Sequence, residues 1–447
     1  MLAIICAAET QAQQRNVTKP AADKTAVSYP AYVTRYDIAT ERDLYYSHLL
    51  APLCGGDDLK GWSLFKESTK HFRSTIGNFF DATVIASTIT TSMPVEGNKP
   101  LARIDALVAD CAKVLDVPKP NVFVRNDPVP QAYATGVQEP YILVITSGLL
   151  DLYEKSSDEL RFVVGHELGH MKCRHMQTKS ASVALLMILQ KIDDKIVKDV
   201  NVLPTLGLGY FCSWCRESDI SADRAGLLCC QNPQIAYNAL SRLLHGLRRD
   251  SDWIDPNNPD FDAEKVIEGF RYWESKPFVE FLLDIKRYSA SHPFIPERIA
   301  ALKAWEGSGA MAAVLSRQGA RPTGYKVVDI QAIMANGLAS GDEKVDPYIK
   351  VLQDRVVRFQ TPVKNSVQSA AWADFNRPFR TEDGQPIFFE IWDSNTIKDS
   401  LLGVFAIYPR PEKTIYETGV RWEVYERTSS QRSGLAKVKL TFLKGNE

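Results

Sequence analysis

Phe162-Val163-Val164-Gly165-His166-Glu167-Leu168-Gly169-His170 is the stretch on which the reading turns. Ser156 stands three residues before Glu159, a capping-box spacing, and Leu160, Val163, Val164 and Leu168 follow at helical intervals, so a helix to about Met176 is expected. Residues i and i+4 share one helical face. Two imidazoles placed so can bind one zinc ion, and the glutamate between them can reach a water at the metal. The alternative is two surface histidines that share a helix.

A catalytic zinc needs a third protein ligand and an open position. A third histidine six residues after His170 is excluded, because position 176 is Met. His175 lies five residues on, rotated about 140° around the helix. A carboxylate on a later helix remains, and Arg216-Glu217-Ser218-Asp219-Ile220-Ser221-Ala222-Asp223-Arg224-Ala225-Gly226 is the candidate segment.

Outward from that helix, Leu101–Leu115 has apolar residues at 3.6-residue spacing and reads as an amphipathic helix ended by Pro118 and Pro120. Asn121–Arg125 and Tyr141–Thr146 read as strands, with Gln131–Gly136 a third that turns at Gly136. Helix-like stretches lie around Ile38–Leu50 and Leu59–Phe80, and a helical region continues to about Trp305. Gly307–Gly324 is rich in Gly and Ala, and from Tyr325 short alternating runs predict a separate all-β domain. The expected division is a flexible tail (1–30), a mainly helical zincin-type domain with a small sheet (31–310), a linker (311–324) and a β-sandwich (325–447). The fold class is thus multidomain α+β.

Several motifs together resemble the HtpX-like metallopeptidases, the gluzincin family that includes the CAAX prenyl proteases. They are Gln131-Ala132-Tyr133-Ala134-Thr135-Gly136, Ile145-Thr146-Ser147-Gly148-Leu149-Leu150, the His166–His170 helix, Ala222-Asp223-Arg224-Ala225-Gly226, and Ser291-His292-Pro293 followed by Arg298-Ile299. The resemblance covers roughly Leu101–Trp305. It implies zinc held by His166, His170 and a carboxylate four residues before Asp223, where Asp219 replaces the family's Glu. Glu217 is the rival, but two residues back it should face away by about 200°. By resemblance Asp223 holds a ligand histidine, and Glu167 moves protons. His292 is expected either to stabilise the oxyanion or to be a buried structural histidine. An extended peptide or unfolded chain is expected to pair along Tyr133, Ala134, Thr135 and Gly136.

Asp346-Pro347-Tyr348-Ile349-Lys350-Val351 and Phe388-Phe389-Glu390-Ile391-Trp392-Asp393 resemble strands of the C2 domain, a sandwich of about eight strands. Calcium-binding members carry acidic loops, and Asp346, Asp393, Asn395 and Asp399 match, with Asp342 a looser candidate. The shorter third loop and the Asn imply weak calcium affinity, or a calcium-independent module that meets a membrane surface or a protein.

Lys+Arg is 53 and Asp+Glu 54, a formal net charge of -1, which gives no global pull toward nucleic acid. Eight Cys in 447 residues make no disulfide scaffold. Cys212-Ser213-Trp214-Cys215 has redox spacing but stands alone and reads as packing. His48, His71 and His245 belong to no pattern. The apolar runs Val183–Leu189 and Val202–Trp214 are too short and interrupted for a spanning helix. The apolar start Leu2–Ala8 leaves two compartments open, export if it is a truncated signal and the cytoplasm otherwise. The function expected is zinc-dependent peptide hydrolysis with an appended targeting or regulatory domain. The alternative is an inactive relative that works as a calcium-, lipid- or protein-binding module.

Overall fold

The computed structural model describes residues 27–50, 78–136, 139–176, 202–290, 292–318, 326–339, 344–354, 356–381, 384–395, 399–409, 413–422 and 432–443. Val183–Leu189, His71 and most of the N-terminal tail lie outside them.

Two short helices lead in, α1 (Arg35–Ile38) and α2 (Glu41–Leu50), followed by α3 (Asn78–Thr91). Helix α4 (Ala102–Leu115) buries Val108, Cys111, Ala112, Val114 and Leu115, and ends on Asp116 in the left-handed region. The first sheet has the order β1-β2-β4-β3, from Ser92–Pro94, Asn121–Arg125, Ile142–Thr146 and Ala132–Thr135 respectively. All five residues of β4 are buried, as befits a central strand with helices on its faces. Strand β3 runs antiparallel to β4 on the edge of the sheet, and Gly136 at its end takes a φ of 112°. Thr146 caps α5 (Ser147–Leu152) by accepting from the Leu149 amide.

The histidine-bearing helix α6 (Ser157–Lys172) buries ten of its 16 residues. Its expected capping box does not form. The Ser156 side chain makes no cap hydrogen bond, because Glu159 is drawn instead to Arg242 Nε at 2.6 Å and Arg249 Nη1 at 3.2 Å. The helix also stops at Lys172, short of Met176, and the chain turns through Arg174 at φ 62°.

Against α6 lies the 29-residue α7 (Val202–Cys230). Pro204 lies within the described helix and does not interrupt it. The two helices touch through glycine. A Cβ on Gly169 would meet Ala225 Cβ at 2.6 Å and Ala222 Cα at 3.0 Å. Gly169→Ala gains about 1 kcal/mol of helix propensity. It meets an overpacking cost of about 1–3 kcal/mol, part of it against backbone that cannot swing aside. The clash should win, and the chemical-denaturation midpoint of the variant should fall.

Helices α8 (Pro233–His245), α9 (Ala263–Glu274), α10 (Pro277–Ser289) and α11 (Ile295–Gly307) complete the helical part. The stretch expected as a linker from 311 begins differently: α12 (Ala310–Leu315) buries Met311 and Val314 in the same core as the helices before it. Cys212 and Cys215 are both buried, the latter packed with Trp214 and Leu50. Among the described residues, no helix is long and apolar enough to cross a membrane.

From Lys326 onward the described chain is all β. Nine strands run β5 (Lys326–Asn336), β6 (Pro347–Gln353), β7 (Val356–Gln360), β8 (Ala370–Ala373), β9 (Phe379–Thr381), β10 (Ile387–Asp393), β11 (Ser400–Ile407), β12 (Ile415–Trp422) and β13 (Arg432–Leu443). They pair in the order β7-β6-β10-β11-β12-β13-β5-β8, with β9 on β5, and every pairing is antiparallel. Ile349, Val351, Phe389 and Phe405 share one core with Ile330, Ile333, Val438 and Leu440, so the sheet closes on itself as a sandwich.

The sandwich grips α2. His48 sits 3.0 Å from Glu390 through Nε2, and its ring stacks on Phe388 at 4.1 Å between centroids. Leu44 and Tyr45 pack on Leu352, Phe388 and Val404, and Tyr36 donates its hydroxyl to Asp354 at 2.9 Å.

Candidate metal centre

Helical phase puts His166 and His170 side by side on α6, and their Nε2 atoms lie 3.2 Å apart. From α7, Asp219 brings Oδ1 to 3.5 Å from His170 Nε2. One ligand atom from each of the three falls within 4.8 Å of the others. Glu217 does not join them. It points the other way, toward Thr40 Oγ1 at 3.2 Å and Arg42 Nη1 at 3.3 Å, and burial pushes its carboxyl up despite Arg42.

Asp223, one turn beyond Asp219, accepts from His166 Nδ1 at 2.8 Å. It also receives Arg298 at both oxygens, from Nη2 at 2.6 Å and Nε at 2.8 Å. Burial opposes ionisation of Asp223, and the Arg298 guanidinium with His166 holds its pKa low regardless. Since Nδ1 of His166 carries the proton given to Asp223, its Nε2 presents a bare lone pair. Burial pulls His166 down, but the Asp223 hydrogen bond and charge outweigh it and leave the ring more basic than usual. Such a ring is a stronger metal ligand. Burial pushes His170 down to about 3, helped by the neighbouring histidines and opposed by Asp219, so this ring is neutral. Asp219 is held well below the usual carboxylate range: burial opposes, and the neighbouring imidazoles of His170 and His292 prevail. One anionic carboxylate and imidazole nitrogens facing one another suit zinc.

Glu167 faces the sheet. Its Oε2 accepts the Ala134 amide of β3 at 2.9 Å, so Ala134 holds the glutamate by its backbone. Tyr133, Thr135 and Gly136 continue the same edge. His292 is not a buried structural histidine. Its side chain is 70% exposed, with Nδ1 2.6 Å from Asp219 Oδ2.

Three participants escape a reading of the sequence. Arg298 stands there only as part of a motif, although an Arg four residues into a helix after His-Pro could prompt the question. Asp43 carries no local signal. His175, expected to rotate away, returns because the helix ends at Lys172 and the chain turns through Arg174. Its Nδ1 lies 2.9 Å from Nδ1 of His170.

At the end of the sandwich, Asp346, Asp393, Asn395 and Asp399 do come near one another, but they tie loops together. Asp393 accepts the Asp346 amide at 2.7 Å, and Asp346 accepts the Ser366 amide at 2.6 Å. Asp399 accepts the Tyr348 hydroxyl at 2.7 Å and the Asn395 amide at 3.2 Å. Among the described residues, no group of three His, Cys, Asp or Glu ligand atoms within 4.8 Å forms there. Asp342 lies outside the described residues.

The fold and this donor set define a metallopeptidase-type domain on a helical scaffold. Residues 98–306 match the model of Peptidase family M48. The chain is 26% identical over 271 residues to the plastoglobule-localized metallopeptidase 48, chloroplastic, of Arabidopsis thaliana, covering 57% of this chain and 71% of that one. It is 24% identical over 227 residues to a protease HtpX homolog of Levilactobacillus brevis, covering 44% and 71%. Against a protease HtpX homolog of Sulfurihydrogenibium sp. it is 40% identical over 80 residues, 18% of this chain and 26% of that one. Among solved structures, a C2 domain is 18% identical and covers 26% of this chain and 98% of its own, with a TM-score of 0.21. A C2 domain of plant extended synaptotagmin 1 is also 18% identical, covering 28% and 98%, with a TM-score of 0.22.

Proposed function

We propose that the protein is a zinc-dependent endopeptidase whose metal is held by His166, His170 and Asp219. The observation that carries the reading is the pair of Nε2 atoms 3.2 Å apart with the Asp219 carboxylate beside them. Bare nitrogens so close repel one another unless a cation lies between them and the carboxylate. When bound, zinc supplies Lewis-acid polarisation of the scissile carbonyl and makes water a nucleophile near neutral pH.

The chain's own groups do the rest. Glu167 takes a proton from the attacking water and returns it to the leaving amine. Ala134 N–H keeps its carboxylate aimed during both transfers. His292, open to solvent at the rim and anchored on Asp219 through Nδ1, donates Nε2–H to the oxyanion when its ring carries both protons. An extended peptide lies along the β3 edge. Asp223 and Arg298 act through His166 by fixing its tautomer. The alternative, an inactive binding module, is disfavoured by a complete set of three donors and an aimed acid.

The test is metal analysis combined with hydrolysis of an unfolded protein substrate. Purified protein should carry one zinc per chain, lose hydrolysis to a strong chelator, and regain it with added zinc. Folded protein that binds no zinc and cleaves nothing would leave the binding-module reading standing.

A further inference from the structure

Behind the donor set lies a second cluster. Asp43, Cys173 and His175 bring their ligand atoms within 4.8 Å of one another. Asp43 is 1% exposed and His175 3%. His175 stands between two partners, His170 Nδ1 at 2.9 Å from its Nδ1 and Asp43 Oδ2 at 2.9 Å from its Nε2. Asp43 comes from α2, about 130 residues earlier in the chain, the helix that the sandwich holds from its other side.

The protons can be followed one by one. The Asp43 carboxyl sits below its usual value: burial opposes, and the His175 imidazole beside it, followed by hydrogen bonds from Ser221 and Ser47, outweighs that. As an anion it only accepts: Ser221 Oγ donates at 2.7 Å, Ser47 Oγ at 3.2 Å, and His175 must donate Nε2–H. A neutral His175 then carries a lone pair on Nδ1. That lone pair faces His170 Nδ1, so His170 must supply the proton of their hydrogen bond. Its remaining nitrogen, Nε2, is thereby bare, and Nε2 is the atom that faces His166 and Asp219. The opposite arrangement, with His175 protonated twice and donating to His170, would put the His170 proton on Nε2 and block ligation. Cys173 adds no thiolate, because burial and Asp43 push its thiol well up. The cluster is therefore a satisfied hydrogen-bond chain.

We infer that Asp43 and His175 are a positioning pair, which sets the tautomer of His170 and so raises the zinc affinity of the site. This rests on the zinc reading above. The pair mirrors Arg298 and Asp223 behind His166, so each histidine ligand has its own carboxylate-anchored support.

Zinc affinity of the full chain, read by competition with a chromogenic chelator, tests it. His175→Phe keeps a ring beside Trp214 but offers no acceptor, and zinc should bind about 10–100-fold more weakly. His175→Asn places an amide oxygen where Nδ1 stood and should recover most of the loss. Equal affinity in wild type and His175→Phe overturns the inference while the zinc reading stands. Equal weakening in the Phe and Asn variants overturns it in favour of plain packing. No zinc bound by wild type overturns the zinc reading itself. Nitrogen-15 imidazole spectra of the zinc-loaded wild type need no variant to fold. Among seven histidines, the His175 resonance should show the Nε2–H tautomer, and an Nδ1–H or doubly protonated ring there overturns the inference.

Discussion

Glu167→Gln should abolish peptide hydrolysis and leave zinc bound at one per chain. The side chain keeps its length, and the amide oxygen can still accept the Ala134 N–H now held at 2.9 Å. The donors His166, His170 and Asp219 do not include position 167, so the metal loses nothing. What disappears is the basic lone pair that accepts a proton from water and passes it on. Losses of about 10²–10⁴-fold are usual when a positioned acid–base group is removed. The upper end is expected here, because the same group serves both transfers. Zinc content and turnover should be measured on one preparation. Turnover within tenfold of wild type would remove Glu167 from the mechanism, and loss of zinc would make it a ligand.

What the sequence revealed about this site follows from how local each relation is. His166 and His170 are four residues apart on one helix, so spacing alone places them together. Asp219 and Glu217 are separated by helical phase, and the phase holds because α7 is continuous through both. Relations set by tertiary contact had no such signal. Glu159 has capping-box spacing to Ser156, yet its partner is Arg242, 83 residues further on. His175 could be judged only by extending a helix that in fact stops three residues earlier. Asp43 reaches the site because α2 packs on α7, and no pattern within Glu41–Leu50 reports it. The sandwich followed the same rule. Alternation gave its strands, whereas the acidic loop residues needed the fold to show that they accept from Asp346 N, Ser366 N and Tyr348 OH.

Asp219→Ala should lose zinc, and Glu217→Ala should keep it. Among the described residues, Asp219 is the only carboxylate within the donor group beside both imidazole nitrogens, and its removal leaves two neutral ligands where three are needed. It also releases His292, whose Nδ1 now lies 2.6 Å from Asp219 Oδ2. Two defects thus fall on one substitution: the metal loses a ligand, and the rim histidine loses its anchor. Glu217→Ala removes the contacts to Thr40 and to the largely exposed Arg42, and the charge felt by Arg224, none of them among the metal donors. Its burial already disfavours the ionised form, so its loss costs the fold little. Asp219→Glu should keep zinc, because it restores the carboxylate with one further methylene. That methylene must fit where Asp219 is only 4% exposed, so a modest loss of thermal stability should accompany the retained metal. Zinc stoichiometry of the three variants decides the matter. If Glu217→Ala comes off the column empty and Asp219→Ala loaded, then α7 is turned by half a revolution from the orientation described above, and the third ligand is Glu217.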